Sequence, residues 1–400
     1  MAELITSRLR ELATPQLYQR NAFKLTGLPT NADRRMVRQR RQKVGVLLEV
    51  GAGPDPSVEP QDVLSAFDLI LGDPRIRLVE ELFWLWDTPE SACSCTRTLH
   101  QDHDAAVLTH SAALERETDG ADLTAAGLRE LKGLWADAGK EWEKQLRRAA
   151  FWEHLRQRVN ALDDRQLDES AVDLLREELP AALARPLVQL AVTAESGHGR
   201  MPRLSRQVHD WPAPPGLVDD LLERAAAPLY EAVDAGLLEA SEKLRVEAAP
   251  RVAAGRLQRT VVPKLEQLSA LVPPDRHWRT ERLRNDVAVA FNNCATHLIE
   301  RLGPGADKYA RPWLESAWNL ASNPQTRSTI DQNTAMLDRI VQLSARTPDF
   351  RTLQRKLSRE FDDRPTGQRL YERAGKRLVT LFLWGLLLLC CWSLAKCGLK

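Results

Sequence analysis

The stretch "CSCTRTLHQDHD" gathers the side chains from which metal sites are made: two thiols, Cys93 and Cys95, and two imidazoles, His100 and His103. Thiolate sulfur and imidazole nitrogen are preferred zinc donors, and four of them complete a tetrahedron. The spacing argues against that reading. A single residue separates the cysteines and no second pair follows at zinc-finger distance, so a loop leading into a helix is the expected structure. His103 with Asp104 also has the form of a phosphohydrolase metal dyad. Such a site needs a further upstream histidine, and only His100, a single turn away, precedes it. His103 and His110 lie seven residues apart on one helical face, where packing or capping contacts are expected. No Walker loop, nucleophile elbow or HExxH motif occurs. The chain is therefore expected not to be an enzyme, with no catalytic residue, no metal and no cofactor.

The other local signal is charge. "RRMVRQRRQK" runs from Arg34 to Lys43, and its Arg34, Arg35, Arg38, Arg40 and Arg41 are candidates for a surface that receives an acidic protein partner. Charge of this kind chiefly speeds and orients encounter; a solvated helix face is the bland alternative. Over the whole chain, 56 Lys and Arg nearly cancel 55 Asp and Glu, so no global field recruits nucleic acid. No stacking aromatics interleave the basic run, and no nucleic acid is expected as a partner. The loop "GAGPDPS" follows the run and places Pro54 and Asp55 at the edge of the same surface.

The elements that carry these residues read as helices. With 43% hydrophobic and 28% charged residues the chain is globular, and its apolar residues recur at three and four rather than at two. The fold class is all-α. A bundle over 1–90 is expected, then a helical-pair domain over 91–194 in which small Ala and Gly positions alternate with Leu and Trp. A Gly- and Pro-rich linker over 195–216 and a second helical-repeat-like domain over 217–370 follow. Leu378 to Ala395 contains no charge; its 18 residues reach about 27 Å as a helix, enough to cross a bilayer as a C-terminal tail anchor. With no signal peptide at the N-terminus, the bulk is expected in the cytoplasm, tethered to the lipid bilayer at 378–395. Three of the six cysteines, Cys390, Cys391 and Cys397, sit in or beside that tail, so no disulfide framework is expected.

Residues 18–86 resemble a divergent J-domain. Phe23, Leu25, Gly27, Leu28 and Ala32 carry the match to the family's opening helix and turn, and a long basic helix follows. Ala66, Phe67, Leu71, Asp73 and Arg77 are similar to its third helix and the end of that helix. Gly53-Pro54-Asp55 stands where the family keeps His-Pro-Asp, so Gly53 removes the imidazole while Pro54 and Asp55 preserve the turn. The region also resembles a bacterial group that joins such a start to tetratricopeptide-like helices and often a membrane tail, with Phe83, Trp84 and Trp86 capping the bundle. The resemblance implies a J-domain-like bundle, tetratricopeptide-like pairs and one transmembrane helix. Its expected function is a membrane-tethered, non-enzymatic scaffold or adaptor that docks protein partners; the alternative is a co-chaperone regulating a DnaK-type ATPase chaperone.

Overall fold

The computed structural model describes residues 2–49, 58–86, 93–119, 124–194 and 200–346. Among them every regular element is a helix and there is no strand, as the three-and-four spacing of apolar residues requires. No described helix is long and apolar enough to cross a membrane. The apolar segment 378–395 and the loop residues Pro54 and Asp55 lie outside the described residues.

A small core forms first along the chain. α2 (Ala22–Thr26), α3 (Arg34–Glu49) and α4 (Pro60–Gly72) bury Phe23, Leu28, Val37, Val44, Phe67 and Ile70 against one another. Asn21 caps α2, its Oδ1 accepting from the amide of Phe23 at 2.9 Å. Gly27 closes the helix at φ 64°: its amide donates to the Lys24 carbonyl and that of Leu28 to the Phe23 carbonyl. These two bonds define a Schellman motif, which favours glycine at this position.

A second, much larger core runs without a break from Ile5 to Leu337. It takes in α1 (Ala2–Leu12), α5 (Pro74–Leu82) and the long pair α6 (Arg97–Thr118) and α7 (Ala125–Arg147). α8 (Ala149–Leu162) leads to α9 (Ser170–Thr193), a helix buried nearly all round, against which α1 and α8 pack. The sequence around Phe83 lies at the junction: Phe83 and Trp86 belong to the large core, whereas Trp84 packs against the small one.

Two buried carboxylates bind these layers together. Glu81 accepts from Arg77 Nε at 2.7 Å and from Arg158 Nε at 2.9 Å, which fixes α8 against α5. The same Arg77 donates to the carbonyls of Thr30 and Ala32, at 3.1 and 2.6 Å, and so links the large core to the small one. Glu80 receives Arg8 Nε at 2.9 Å and the amide of Ala22 at 2.7 Å. A buried charge without such partners would be very costly.

The stretch expected as a linker contains a packed helix, α10 (Arg200–His209), with Met201, Leu204 and Val208 buried, followed by a buried Trp211. Glu117 at the end of α6 holds α10 through Arg203, whose two terminal nitrogens donate at 2.9 and 2.6 Å. Pro202 lies in the first turn of this short amphipathic helix, and Pro212, Pro214, Pro215 and Gly216 follow it in the turn that leads onward. Beyond them come α11 (Leu217–Ala225), α12 (Ala227–Arg245) and α13 (Pro250–Arg256), which continues through a π-turn at Leu257–Val261 into α14 (Val262–Leu271). Pro263 cannot donate to the helical ladder, and the widened turn absorbs that loss. α15 (Trp278–Leu302) and α16 (Asp307–Leu320) form a second long pair, flanked by α17 (Pro324–Arg346).

Candidate functional site

The basic run occupies α3, and its geometry sorts the five arginines. α3 buries only Val37 and Val44, one line along the helix, and packs chiefly on α4. At 3.6 residues per turn, Arg34 and Arg41 flank that line on one side and Arg40 on the other. Arg41 pairs with Asp68 at 2.9 Å and Arg34 approaches Asp164 at 3.9 Å. Arg40 Nε donates to the carbonyl of Thr26 at 3.2 Å, satisfying the C-terminal end of α2. Arg35 and Arg38 lie on the outward side, exposed and without a partner among the described residues. Met36, Val46 and Leu47 are exposed beside them, so the free face of α3 is both basic and apolar.

The cysteine and histidine residues assemble in a different place and with a different membership from the one their spacing suggests. Donor atoms of Cys93, Cys95, His100 and His154 all lie within 4.8 Å of one another. Cys93 Sγ is 3.2 Å from His100 Nε2, and Cys95 Sγ is 3.3 Å from His154 Nδ1. His103 is excluded. It is fully buried, with Nε2 donating to the Leu82 carbonyl at 3.0 Å and its ring stacked on Trp86 at 3.6 Å.

Each member is held by its own element. Trp86 is the pillar: its indole stacks on His103 on one side and on His154, at 4.0 Å, on the other. Its amide donates to Asp104 Oδ1 at 2.7 Å and its Nε1 to the Glu81 carbonyl at 2.9 Å. Its carbonyl accepts from His100 Nδ1 at 2.9 Å. A carbonyl can only accept, so Nδ1 of His100 carries a proton, and in the neutral tautomer the lone pair on Nε2 faces Cys93. Between the cysteines, the Ser94 amide donates to Gln157 Oε1 at 3.1 Å and Gln157 Nε2 donates back to Ser94 Oγ at 2.9 Å. Gln157 stands one turn after His154 on α8, so one helix both presents the imidazole and clamps the thiol segment. Thr96 then caps α6, its Oγ1 accepting from the amide of Leu99 at 3.3 Å.

Burial sets the protonation of His154 and Cys95 in this cluster. It pushes His154 down to about 3, with the neighbouring His100, His103 and Arg158 adding to the effect, so the imidazole is neutral. It pushes Cys95 up to about 12, with the neighbouring Cys93 raising it further, so the thiol keeps its proton unless a cation replaces it. Burial likewise holds His103 below the usual imidazole value, against the opposing pull of Asp104.

Of the residues singled out from sequence, Cys93, Cys95 and His100 are brought together, and the basic residues share one helix. His154 was missed. Its only sequence signal is a histidine three residues after Phe151 on the apolar face of "FWEHLRQRV", a position that most often reads as core. No family model, curated protein or solved structure matches this chain.

Proposed function

We infer that the chain is a non-enzymatic helical adaptor that docks protein partners, tethered at the cytoplasmic face of a membrane through its C-terminal apolar segment. The observation that supports this most is the outward face of α3. It commits one line of residues to the core and leaves Arg35, Arg38, Met36, Val46 and Leu47 exposed. A face that is basic and apolar together suits an acidic partner with an apolar anchor: the charges steer the encounter and the apolar side chains supply the burial. Tethering to a surface raises the effective concentration of such partners without new contacts.

The test is isolation of the full-length protein from its native membrane in mild detergent, with identification of the co-purifying proteins. A parallel sample carries Arg35→Glu with Arg38→Glu, which removes no contact among the described residues. A control carries Arg129→Glu, an exposed position on α7. The expected result is a set of partners lost with the α3 changes and kept with the control. Partners retained by the α3 variant would overturn this assignment of the docking face.

A co-chaperone role is the second reading. It is favoured by the separate core shared by α2, α3 and α4, with Gly53, Pro54 and Asp55 falling in sequence between the last two. A DnaK-type ATPase whose hydrolysis rises on adding the full chain, and falls back with Asp55→Asn, would place it ahead of the adaptor.

A further inference from the structure

We propose that Cys93, Cys95, His100 and His154 bind a structural zinc ion that ties the start of α6 to α8 across the pillar of Trp86. This site is independent of the α3 docking face. Its donor set is two thiols and two imidazoles, the combination that selects zinc among the common divalent cations by softness and by tetrahedral geometry. Bonds of 2.0–2.3 Å in a tetrahedron set donor atoms roughly 3.3–3.8 Å apart. The Cys93–His100 and Cys95–His154 pairs already stand at 3.2 and 3.3 Å, and the full set falls within 4.8 Å. A contraction of about 1 Å completes the site, within the reach of side-chain rotation.

The surroundings supply His100 with the hydrogen-bonded second layer that zinc-binding histidines use. His100 holds its tautomer through Nδ1–H to the Trp86 carbonyl, which leaves Nε2 as the ligand atom. His154 presents Nδ1 toward Cys95, with its ring fixed against Trp86. The Cys93–Cys95 segment is pinned to the same helix by the two Ser94–Gln157 hydrogen bonds. Binding is a displacement without redox change. Each thiol releases its proton to solvent and donates a sulfur pair, and each neutral imidazole donates a nitrogen pair. Two thiolates cancel the two positive charges, so the centre is neutral, which suits the indole of Trp86 against which both imidazoles pack. Four protein ligands leave no open position, so the ion is structural and not a water-activating catalyst.

The experiment uses the full chain, purified in mild detergent with a thiol reductant and without chelator, and measures zinc per chain by elemental analysis. An equimolar amount is expected. The ion is then removed with a chelator and the protein is reloaded with cobalt(II) alone. Intense tetrahedral cobalt bands accompanied by thiolate-to-cobalt charge transfer are expected. Cys95→Ser and His154→Gln should lose both the zinc and the charge-transfer band, whereas Cys294→Ser, in a buried thiol on α15 away from the cluster, should keep both. The cobalt spectrum of the unmodified chain decides the matter even where a variant fails to fold. Absence of zinc both as isolated and after reloading, weak octahedral cobalt bands without charge transfer, or full retention of metal in Cys95→Ser would each overturn the proposal.

Discussion

At the scale of the residue, the molecule's distinctive feature is the number of neutral histidines it encloses. His110 is fully buried, shares a hydrogen bond of 2.8 Å with Tyr18 and meets the rings of Trp135 and Trp211. Burial pushes its pKa down to about 3, whereas an exposed imidazole titrates at about 6.5. Between those values the unfolded chain holds more protons than the folded one, so stability is complete above about pH 6.5 and falls as pH drops toward 3. One such group contributes a slope of about 1.4 kcal/mol per pH unit. Denaturant unfolding between about pH 7 and pH 5 should therefore show stability declining with acid, and less steeply in His110→Gln. Equal slopes would mean that His110 reaches its proton without unfolding. Three of the four clustered donors were legible in the sequence. Two cysteines and His100 lie within one short stretch, but His154 enters from another helix, and no local spacing encodes a contact made by tertiary packing.

At the scale of the element, periodicity identified the helices well, because an amphipathic stripe records which face will be buried. Every described regular element is helical, and the run Arg34 to Lys43 lies inside a single helix, α3. What composition obscured was the role of residues 200–216. Gly and Pro content reads as flexibility, yet Leu204 and Val208 recur at helical spacing, and the ion pairs with Glu117 that hold α10 in place are long-range. A paired substitution on α7 tests how firmly this stretch is seated. A Cβ at Gly139 would come within 2.7 Å of Pro212 Cδ, whereas one at Gly133 would meet nothing within 4 Å. Alanine in place of glycine gains about 1 kcal/mol of helix propensity, but overfilling a packed contact costs roughly 1–3 kcal/mol. Gly133→Ala should therefore raise the melting temperature and Gly139→Ala should lower it. A rise in both would show that Pro212 yields easily and that the segment sits loosely on α7.

At the scale of the whole molecule, the division of the apolar interior matters more than the order of the helices. The large core runs from Ile5 to Leu337 through most of the described helices, while the small core rests on ten buried residues between Ala22 and Ile70. The two are joined by polar links, Arg77 to the carbonyls of Thr30 and Ala32 and Glu80 to the amide of Ala22, with Trp84 alongside. Opening a unit costs the burial it gives up, so elements with few apolar contacts open at lower free energy than the global transition. α3, a helix of 16 residues that buries only Val37 and Val44, is one of them. Hydrogen exchange of the full-length chain, read by peptide mass, should show the amides of α2, α3 and α4 losing protection together and ahead of α6, α7 and α9. The proposed docking face would then belong to the least stable unit of the molecule, and a partner bound there should slow exchange first in that unit by stabilising the closed bundle. If all six helices exchange with one common protection, the Arg77 and Glu80 links merge both cores into one cooperative unit. Partner binding at α3 would in that case be felt as far away as α9, and charge reversal at Arg35 and Arg38 should leave that common protection unchanged.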